Sequence, residues 1–283
     1  MVNKDDIQLY SGAGNDFLIL NNLDNKYSDY LKIVLELMSQ TEYSKFDGVI
    51  FIEKSSIADF KMNYYNRDGT TNSLCGNGLR CTGQYVKDNS FTNKNELTVE
   101  SVGNIYKLAF LDNGLVSTYF PSPKVINPEI NLKINLDKWH QDLKCSYVDC
   151  GSPHIVIFVE DLNINNKKIT SLDEIDVINF GRYLRYHKDL MPEGANVNFV
   201  KIISVEDGLV ESRVYERGVE DETLASGTGS ISVGITCFIT KGINPPINIK
   251  TRLGETLIVD FEFIEDKISK IILTGKAQRI KNK

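Results

Sequence analysis

Two periods of hydrophobicity run through this chain of 283 residues, and together they predict a mixed protein of strands and helices. Continuous or alternating apolar runs predict strands close to the turn in SGAGNDFLIL (residues 11–20), at Gly48–Ile52, Ala58–Tyr64, Leu97–Ser101, Ile105–Leu111 and Leu115–Phe120. Between them, Leu31, Val34, Leu35 and Met38 stand at i, i+3, i+4 and i+7, one apolar face of a first helix. A glycine-rich turn in CGNGLRCTGQYVKD opens onto a second, short helix carrying Leu79, Thr82, Tyr85 and Val86. Pro121, Pro123 and Pro128, with polar neighbours, then mark a boundary between halves.

The second half replays this order. A strand containing Ile155–Val159 follows the turn GSPH, and Ser171–Glu174 has the form of a capping box starting a helix with Val177, Phe180 and Leu184 inward. Strands at Val197–Val205 and Val210–Tyr215 lead to a second glycine-rich turn, SGTGS, and an apolar helix around Ile231–Ile239. Strands near Ile247, Leu257 and Ile268–Leu273 finish the chain. Glycine turn, strand, helix, strands, glycine turn and buried helix thus occur twice, which predicts a duplicated α+β unit.

Composition narrows the classes of function. With 32 basic against 38 acidic side chains the net charge is −6, so a nucleic-acid groove is not the expectation. A hydrophobic share of 41% excludes wholesale disorder. The five cysteines, at 75, 81, 145, 150 and 237, form neither a dense disulfide framework nor a paired zinc pattern. The three histidines, at 140, 154 and 187, are not spaced as a metal-binding pair. The opening MVNKDDIQLY has no apolar core of signal-peptide length. Ile231–Thr240, the longest nearly apolar stretch, is far short of the roughly 20 residues a membrane span needs. The expectation is a reduced, cytoplasmic protein with neither membrane nor nucleic acid as partner.

The sharpest chemical signal lies in the two equivalent turns, Ser73-Leu74-Cys75-Gly76-Asn77-Gly78-Leu79 and Leu224-Ala225-Ser226-Gly227-Thr228-Gly229-Ser230. Each places a small nucleophilic side chain at the mouth of a helix whose first N–H groups glycines leave uncovered. A helix N-terminus carries unpaired donors and about half a positive charge, so it binds carboxylates. The same field draws a thiol's pKa down from about 8.5 and makes its thiolate available as a base. Taken singly, CGNG or SGTG is an ordinary helix-capping turn; the repetition at matching places is what argues for chemistry. Around the turns stand polar residues at strand ends: Asn15, Asn66, Ser152, His154, Asn196 and the pair Glu216-Arg217. In isolation, an asparagine there is a turn former and a Glu-Arg pair a solvated surface pair.

The strings GAGNDF, YYNRDGTTNSLCGNGLRC, GSPH, GANVNFV and VYERGVEDETLASGTGS resemble, in order, the signature segments of the diaminopimelate epimerase family. The resemblance spans residues 12–230 and extends through the final strands. It implies inversion of one α-carbon of diaminopimelate, on the route to lysine, by two-base proton transfer without cofactor or metal. It implies two pseudo-symmetric α+β domains, each a mostly antiparallel sheet or barrel wrapped around a central helix, with the ligand between them. The domains would be residues 1–125 and 126–267, the last strand, about 268–283, returning to complete the first. A homodimer is implied as well. Position by position, Cys75 matches the first catalytic cysteine. Gly76, Asn77, Gly227 and Thr228 match the donors that hold the α-carboxylate. Asn15, Asn66 and Asn196 match side chains that hydrogen-bond the substrate. Glu216 and Arg217 match the pair that reads the distal ammonium and carboxylate, and His154 and Glu216 match residues that assist the cysteines.

Three positions depart from the family pattern. Gly48 stands where most members have glutamine, and Ser152, at a substrate-binding position, where many have asparagine. Ser226 stands where the family carries its second catalytic cysteine. A serine hydroxyl is a far weaker acid than a thiol, so inversion should be crippled while binding survives. Two origins fit: an epimerase whose cysteine has been replaced, or a natural serine with altered chemistry. The alternatives are a related amino-acid racemase (for histidine, for example), a lyase or dehydratase, and a non-catalytic amino-acid-binding protein.

Overall fold

Alternating and continuous apolar runs become strands because one or both of their faces are covered. The first are β1 (Ile7–Gly12) and β2 (Asn15–Asn21); helix α1 (Tyr30–Met38) leads to β3 (Gly48–Glu53) and β4 (Phe60–Asn66). Helix α2 (Gly76–Asp88) leads to β5 (Glu96–Ser101), β6 (Asn104–Phe110) and β7 (Leu115–Phe120). The coordinates are a computed structural model and describe residues 2–71, 74–136 and 139–281. Ser73, first residue of the first glycine turn, lies outside the described residues. The chain continues through β8 (Val125–Leu136), β9 (Trp139–Asp149), β10 (Pro153–Phe158), the two-residue strands β11 (Asn163–Ile164) and β12 (Lys167–Lys168), and α3 (Val177–Arg185). Then come β13 (Asn196–Ser204), β14 (Leu209–Glu216), β15 (Asp221–Thr223), α4 (Gly227–Lys241), β16 (Ile247–Lys250), β17 (Thr256–Ile264), β18 (Lys267–Lys276) and β19 (Gln278–Ile280).

Two units emerge: Met1–Tyr119 with Thr274–Lys283, and Phe120–Leu273. Strand pairing repeats between them. In the first, β1–β2 is antiparallel, β2–β3 parallel, β3–β4 antiparallel, β4–β5 parallel and β5–β6 antiparallel. In the second, the same alternation runs through β9–β10, β10–β13, β13–β14, β14–β16 and β16–β17. Each parallel step needs a crossover, and α1, α2, α3 and α4 supply the four. Strand β19 adds to the first unit beside β1.

The second helix of each repeat is the buried one. Gly76–Gly83 of α2 are buried without interruption, as are Gly229–Cys237 of α4. A helix covered all round has no need of a polar stripe, which is why α4 reads GTGSISVGITCFITK with no charge before its last residue. Strand β3, GVIFIE, is buried at every position, as parallel-paired strands covered on both faces are. α4 ends at Gly242, whose φ of 67° is the left-handed cap a glycine adopts without strain.

The sequence expectation is corrected in three places. Helix α1 forms, but Leu31 and Leu35 are 51% and 47% exposed, and Val34 and Leu37 are the buried pair. The helix is apolar on more than one side, and the stripe with Tyr30, Ile33, Val34 and Leu37 is the one that meets Leu18, Tyr43 and Phe51. The capping box at Ser171–Glu174 closes a 3-10 turn, Leu172–Glu174. Ile175 is extended after it, and Asp176 caps α3 by accepting from the Asn179 N–H at 3.1 Å. The long β8–β9 hairpin begins after Pro121 and Pro123 and takes in Pro128, the third of the prolines that suggest only a boundary. Pro128 is accommodated where the register shifts between Asn127 and Ile130, so it interrupts the ladder without ending the strand.

Candidate active site

The first unit holds one half of the predicted residues. Cys75 is the N-cap of α2, half-buried, with extended backbone (φ −114°, ψ 99°). Its Sγ accepts from the Gly78 N–H at 3.3 Å and its carbonyl from the Leu79 N–H at 2.9 Å. The N–H groups of Gly76 and Asn77 precede the first helical bond, so they stay available to an anion. A hydrogen bond to sulfur and the positive end of the helix both favour the thiolate.

Asn77 is buried, and its side chain has fixed partners on both sides. Its oxygen accepts from the guanidinium of the fully buried Arg80, and its nitrogen donates to the Asn15 oxygen. Asn15 donates in turn to Asp47, which also accepts from the Asp16 N–H at 2.7 Å. Burial raises the Asp47 carboxyl above its usual range, and these hydrogen bonds pull the other way. Asn66 accepts from the Tyr64 hydroxyl at 2.7 Å and donates to Thr70 Oγ1 at 2.9 Å. Gly48 has no room for the family's glutamine. A Cβ there would sit 2.2 Å from the Tyr65 carbonyl oxygen and 2.7 Å from the Tyr64 ring.

The second unit holds the other half. Ser226 caps α4 with nearly the same backbone (φ −124°, ψ 125°). Its Oγ accepts from the Gly229 N–H at 3.2 Å and its carbonyl from the Ser230 N–H at 2.9 Å. Gly227 and Thr228 are the residues with N–H groups ahead of the first helical bond. Glycine at 229 is a packing requirement: a Cβ would lie 2.7 Å from Asn198 Oδ1 and 3.0 Å from Ser226 Oγ.

Polar strand ends converge on this turn. His154, fully buried on β10, stands with Nε2 2.9 Å from Thr228 Oγ1 and Nδ1 3.1 Å from the Asn198 amide nitrogen. Burial, aided by the nearby Arg217 charge, pushes its pKa down to about 3, so the ring is neutral at neutral pH. Asn196 is a clip. Its amide donates to Ser152 Oγ and the Pro153 carbonyl, both at 2.8 Å, and its oxygen accepts from the Arg217 N–H at 2.8 Å. Arg217 also donates to the Glu193 carbonyl at 3.3 Å, and Glu216 ends β14 opposite Asp221. Cys150 donates to the Thr228 carbonyl at 3.3 Å, and burial pushes its thiol up to about 12. Cys145 and Cys237 are pushed up to about 12 by burial as well, and Cys81 is fully buried, so Cys75 is the accessible thiol.

In the first unit Asn15 is thus tied to Asn77 in the first turn of α2, whereas Asn66 bonds to Tyr64 and Thr70; in the second, His154 meets Thr228 at the mouth of α4, with Asn196, Ser152 and Arg217 linked behind it. Sequence reasoning missed Arg80, Asp47, Tyr64 and Asn198. A signal existed for two of them. Asn198 follows Asn196 by two, on the same face of a strand that is apolar at Val197, Phe199, Val200, Ile202 and Ile203. Arg80 is the one charged residue in the first two turns of α2.

The architecture is that of a family of duplicated α+β folds. A PhzF-family phenazine biosynthesis protein of Bacillus anthracis superimposes with a TM-score of 0.69 at 14% identity, covering 97% of this chain and 96% of that one. A probable proline racemase of Agrobacterium radiobacter does so with 0.68 at 13%, over 97% and 90%. Sequence goes further than fold. The diaminopimelate epimerase family model matches residues 7–123 and 146–280. Proteins described as diaminopimelate epimerase from Chlorobaculum tepidum and Hydrogenobaculum are 32% and 33% identical, over 95% and 94% of this chain and 97% and 96% of theirs. The chain belongs to the diaminopimelate epimerase family and is an isomerase of the epimerase class. Among the described residues no helix is long and apolar enough to cross a membrane.

Proposed function

We propose that this chain interconverts LL- and meso-diaminopimelate by transferring the α-proton without a cofactor, at a rate strongly reduced by Ser226. The observation that carries the reading is the pair of α2 and α4 N-termini. One is capped by a thiol and the other by a hydroxyl, each accepting from the third N–H of its helix. In this reading the N–H groups of Gly76, Asn77, Gly227 and Thr228 hold the α-carboxylate. They bind it more strongly as the departing proton leaves negative charge on it. The Cys75 thiolate takes the α-proton: the C–H bond breaks, an S–H bond forms, and the electron pair stays on the carbon and its carboxylate. Inversion then needs a second acid to deliver a proton to the other face, a role that in this reading would fall to Ser226. Its hydroxyl is too weak an acid to match a thiol. Glu216 and Arg217 would read the distal ammonium and carboxylate, the latter suited to a guanidinium fork. Asn15, Asn66, Asn196 and Ser152 would line the substrate or hold those that do. Action in the cytoplasm as a homodimer belongs to the same reading.

The test incubates the chain and its Ser226→Cys variant with LL-diaminopimelate in deuterated water. Inversion with α-deuterium incorporation in the variant, strongly above the parent, is the expected result. Turnover by neither protein overturns the reading, and release of ammonia or water from a hydroxy amino acid points to a lyase.

A further inference from the structure

We infer that Asn198 is a positioning residue that fixes the tautomer of His154 and thereby makes the Thr228 hydroxyl a hydrogen-bond donor at the mouth of α4. The accounting starts from the Ile155 carbonyl, which can only accept. The Asn198 side-chain atom 3.0 Å from it is therefore the amide nitrogen, and the same nitrogen lies 3.1 Å from His154 Nδ1. With one hydrogen on each partner, Asn198 presents a donor to Nδ1, and Nδ1 must be the unprotonated, accepting nitrogen. The fully buried ring is neutral, so its one proton is on Nε2. Nε2–H points at Thr228 Oγ1, 2.9 Å away. The Asn196 amide approaches Nε2 at 3.5 Å but spends its hydrogens on Ser152 Oγ and the Pro153 carbonyl, so it does not compete.

The consequence falls on Thr228. A hydroxyl has one hydrogen and two lone pairs. Accepting from His154, it keeps its own hydrogen for an oxygen of a carboxylate bound beside the Gly227 and Thr228 N–H groups. With the opposite tautomer, Nε2 would take that hydrogen and Thr228 would turn a lone pair toward an anion. Register supports the arrangement: β10 and β13 run parallel with His154 opposite Asn196 and Val156 opposite Asn198, which places His154 and both asparagines on one face. The inference deepens the proposed α-carboxylate binding and rests on it for the ligand, though not for the tautomer.

Long-range 1H–15N correlation of protein labelled at its histidines reads the tautomer without reference to activity. The expected signal for His154 is protonated Nε2 and bare Nδ1. His187, with Nε2 3.1 Å from the Lys133 carbonyl and Nδ1 accepting from the Asp189 N–H at 3.3 Å, is a fold control in the same unit. Asn198→Asp replaces the donor by an acceptor and should move a proton onto Nδ1 while the His187 signals stay. Calorimetry with LL-diaminopimelate should then show binding weakened about tenfold or more, the size of one hydrogen bond to a charged group. Thr228→Val should cost the parent a similar factor, Thr228→Ser much less, and Thr228→Val should add little in the Asn198→Asp background. A bare Nδ1 in Asn198→Asp with unshifted His187, or equal Thr228→Val losses in both backgrounds, overturns the inference. Should Asn198→Asp fail to fold, a protonated Nδ1 in the parent, or Thr228→Val binding as tightly as the parent, overturns it equally. Should no variant bind diaminopimelate, the substrate reading fails and the tautomer shift alone decides.

Discussion

The N-termini of α2 and α4 are built alike and equipped differently. In each, an extended cap residue accepts from the third N–H of its helix, through sulfur at 3.3 Å in one and oxygen at 3.2 Å in the other. As a helix cap, serine is the better residue. As a proton donor to carbon it is the worse one, because its O–H is a far weaker acid than an S–H. Under the proposed function, folding and catalysis would therefore ask for different atoms at position 226. The supporting networks differ too. On the first side a chain with an ionisable group at each end, Arg80 to Asn77 to Asn15 to Asp47, runs through the first turn of α2 behind Cys75. Ser226 neighbours a neutral one, Asn198 to His154 to Thr228.

Making the two caps alike is the most drastic way to break this comparison. Ser226→Cys should raise the rate of inversion about 10²- to 10⁴-fold, the usual worth of a positioned acid or base. Circular dichroism should be unchanged, and an equally slow variant would show that the serine is not what limits the rate.

Next in size is the pH dependence that the neutral network imposes. His154 has a folded pKa of about 3 against an unfolded value of 6.5. Between those values the unfolded chain binds one more proton, so stability falls as pH drops from 6.5 toward 3, by up to about 1.4 kcal/mol per pH unit. Urea midpoints measured at pH 7, 5 and 4 should show a shallower decline in His154→Gln than in the parent. Parallel declines would mean that the histidine is not held neutral.

Glycine at the third helical position separates the mouths by packing. A Cβ at Gly229 meets Asn198 Oδ1 at 2.7 Å, whereas one at Gly78 meets Ile50 Cδ1 at 3.2 Å and Cys75 Sγ at 3.3 Å. Gly229→Ala should therefore cost about 1–3 kcal/mol, as overpacking does, and Gly78→Ala less. Equal shifts in denaturation midpoint would remove the distinction.

The smallest effect concerns the thiol itself. Alkylation of Cys75 followed against pH should give an apparent pKa below the ~8.5 of a free cysteine. A value no lower than that would favour a binding protein with an inert thiol.

Much of this was legible from spacing. Both glycine turns, the buried helices behind them and the duplication follow from runs such as CGNGLRC and LASGTGS, since a cap followed by glycines and an apolar segment has few other ways to fold. The site residues around Cys75 and Ser226 were legible as types, through the family resemblance. Helix α1 shows where legibility stopped: its sequence offers two overlapping apolar stripes, and only the presence of Leu18, Tyr43 and Phe51 selects the one with Val34 and Leu37. Pro128 shows it again, because a bulge and a boundary look the same in one dimension.

The sequence by itself determined which atoms stand at the two caps, Sγ at 75 and Oγ at 226, and that both crown helices, because cap identity and glycine spacing are local properties. Tertiary structure alone decided what those caps are wired to. Asn198 reaches His154 across 44 positions of sequence, His154 reaches Thr228 across 74, and Asn77 reaches Asn15 across 62. Hydrogen-bond roles of this kind depend on which donor faces which acceptor in a buried space, and strand register fixes that pairing where no local pattern does.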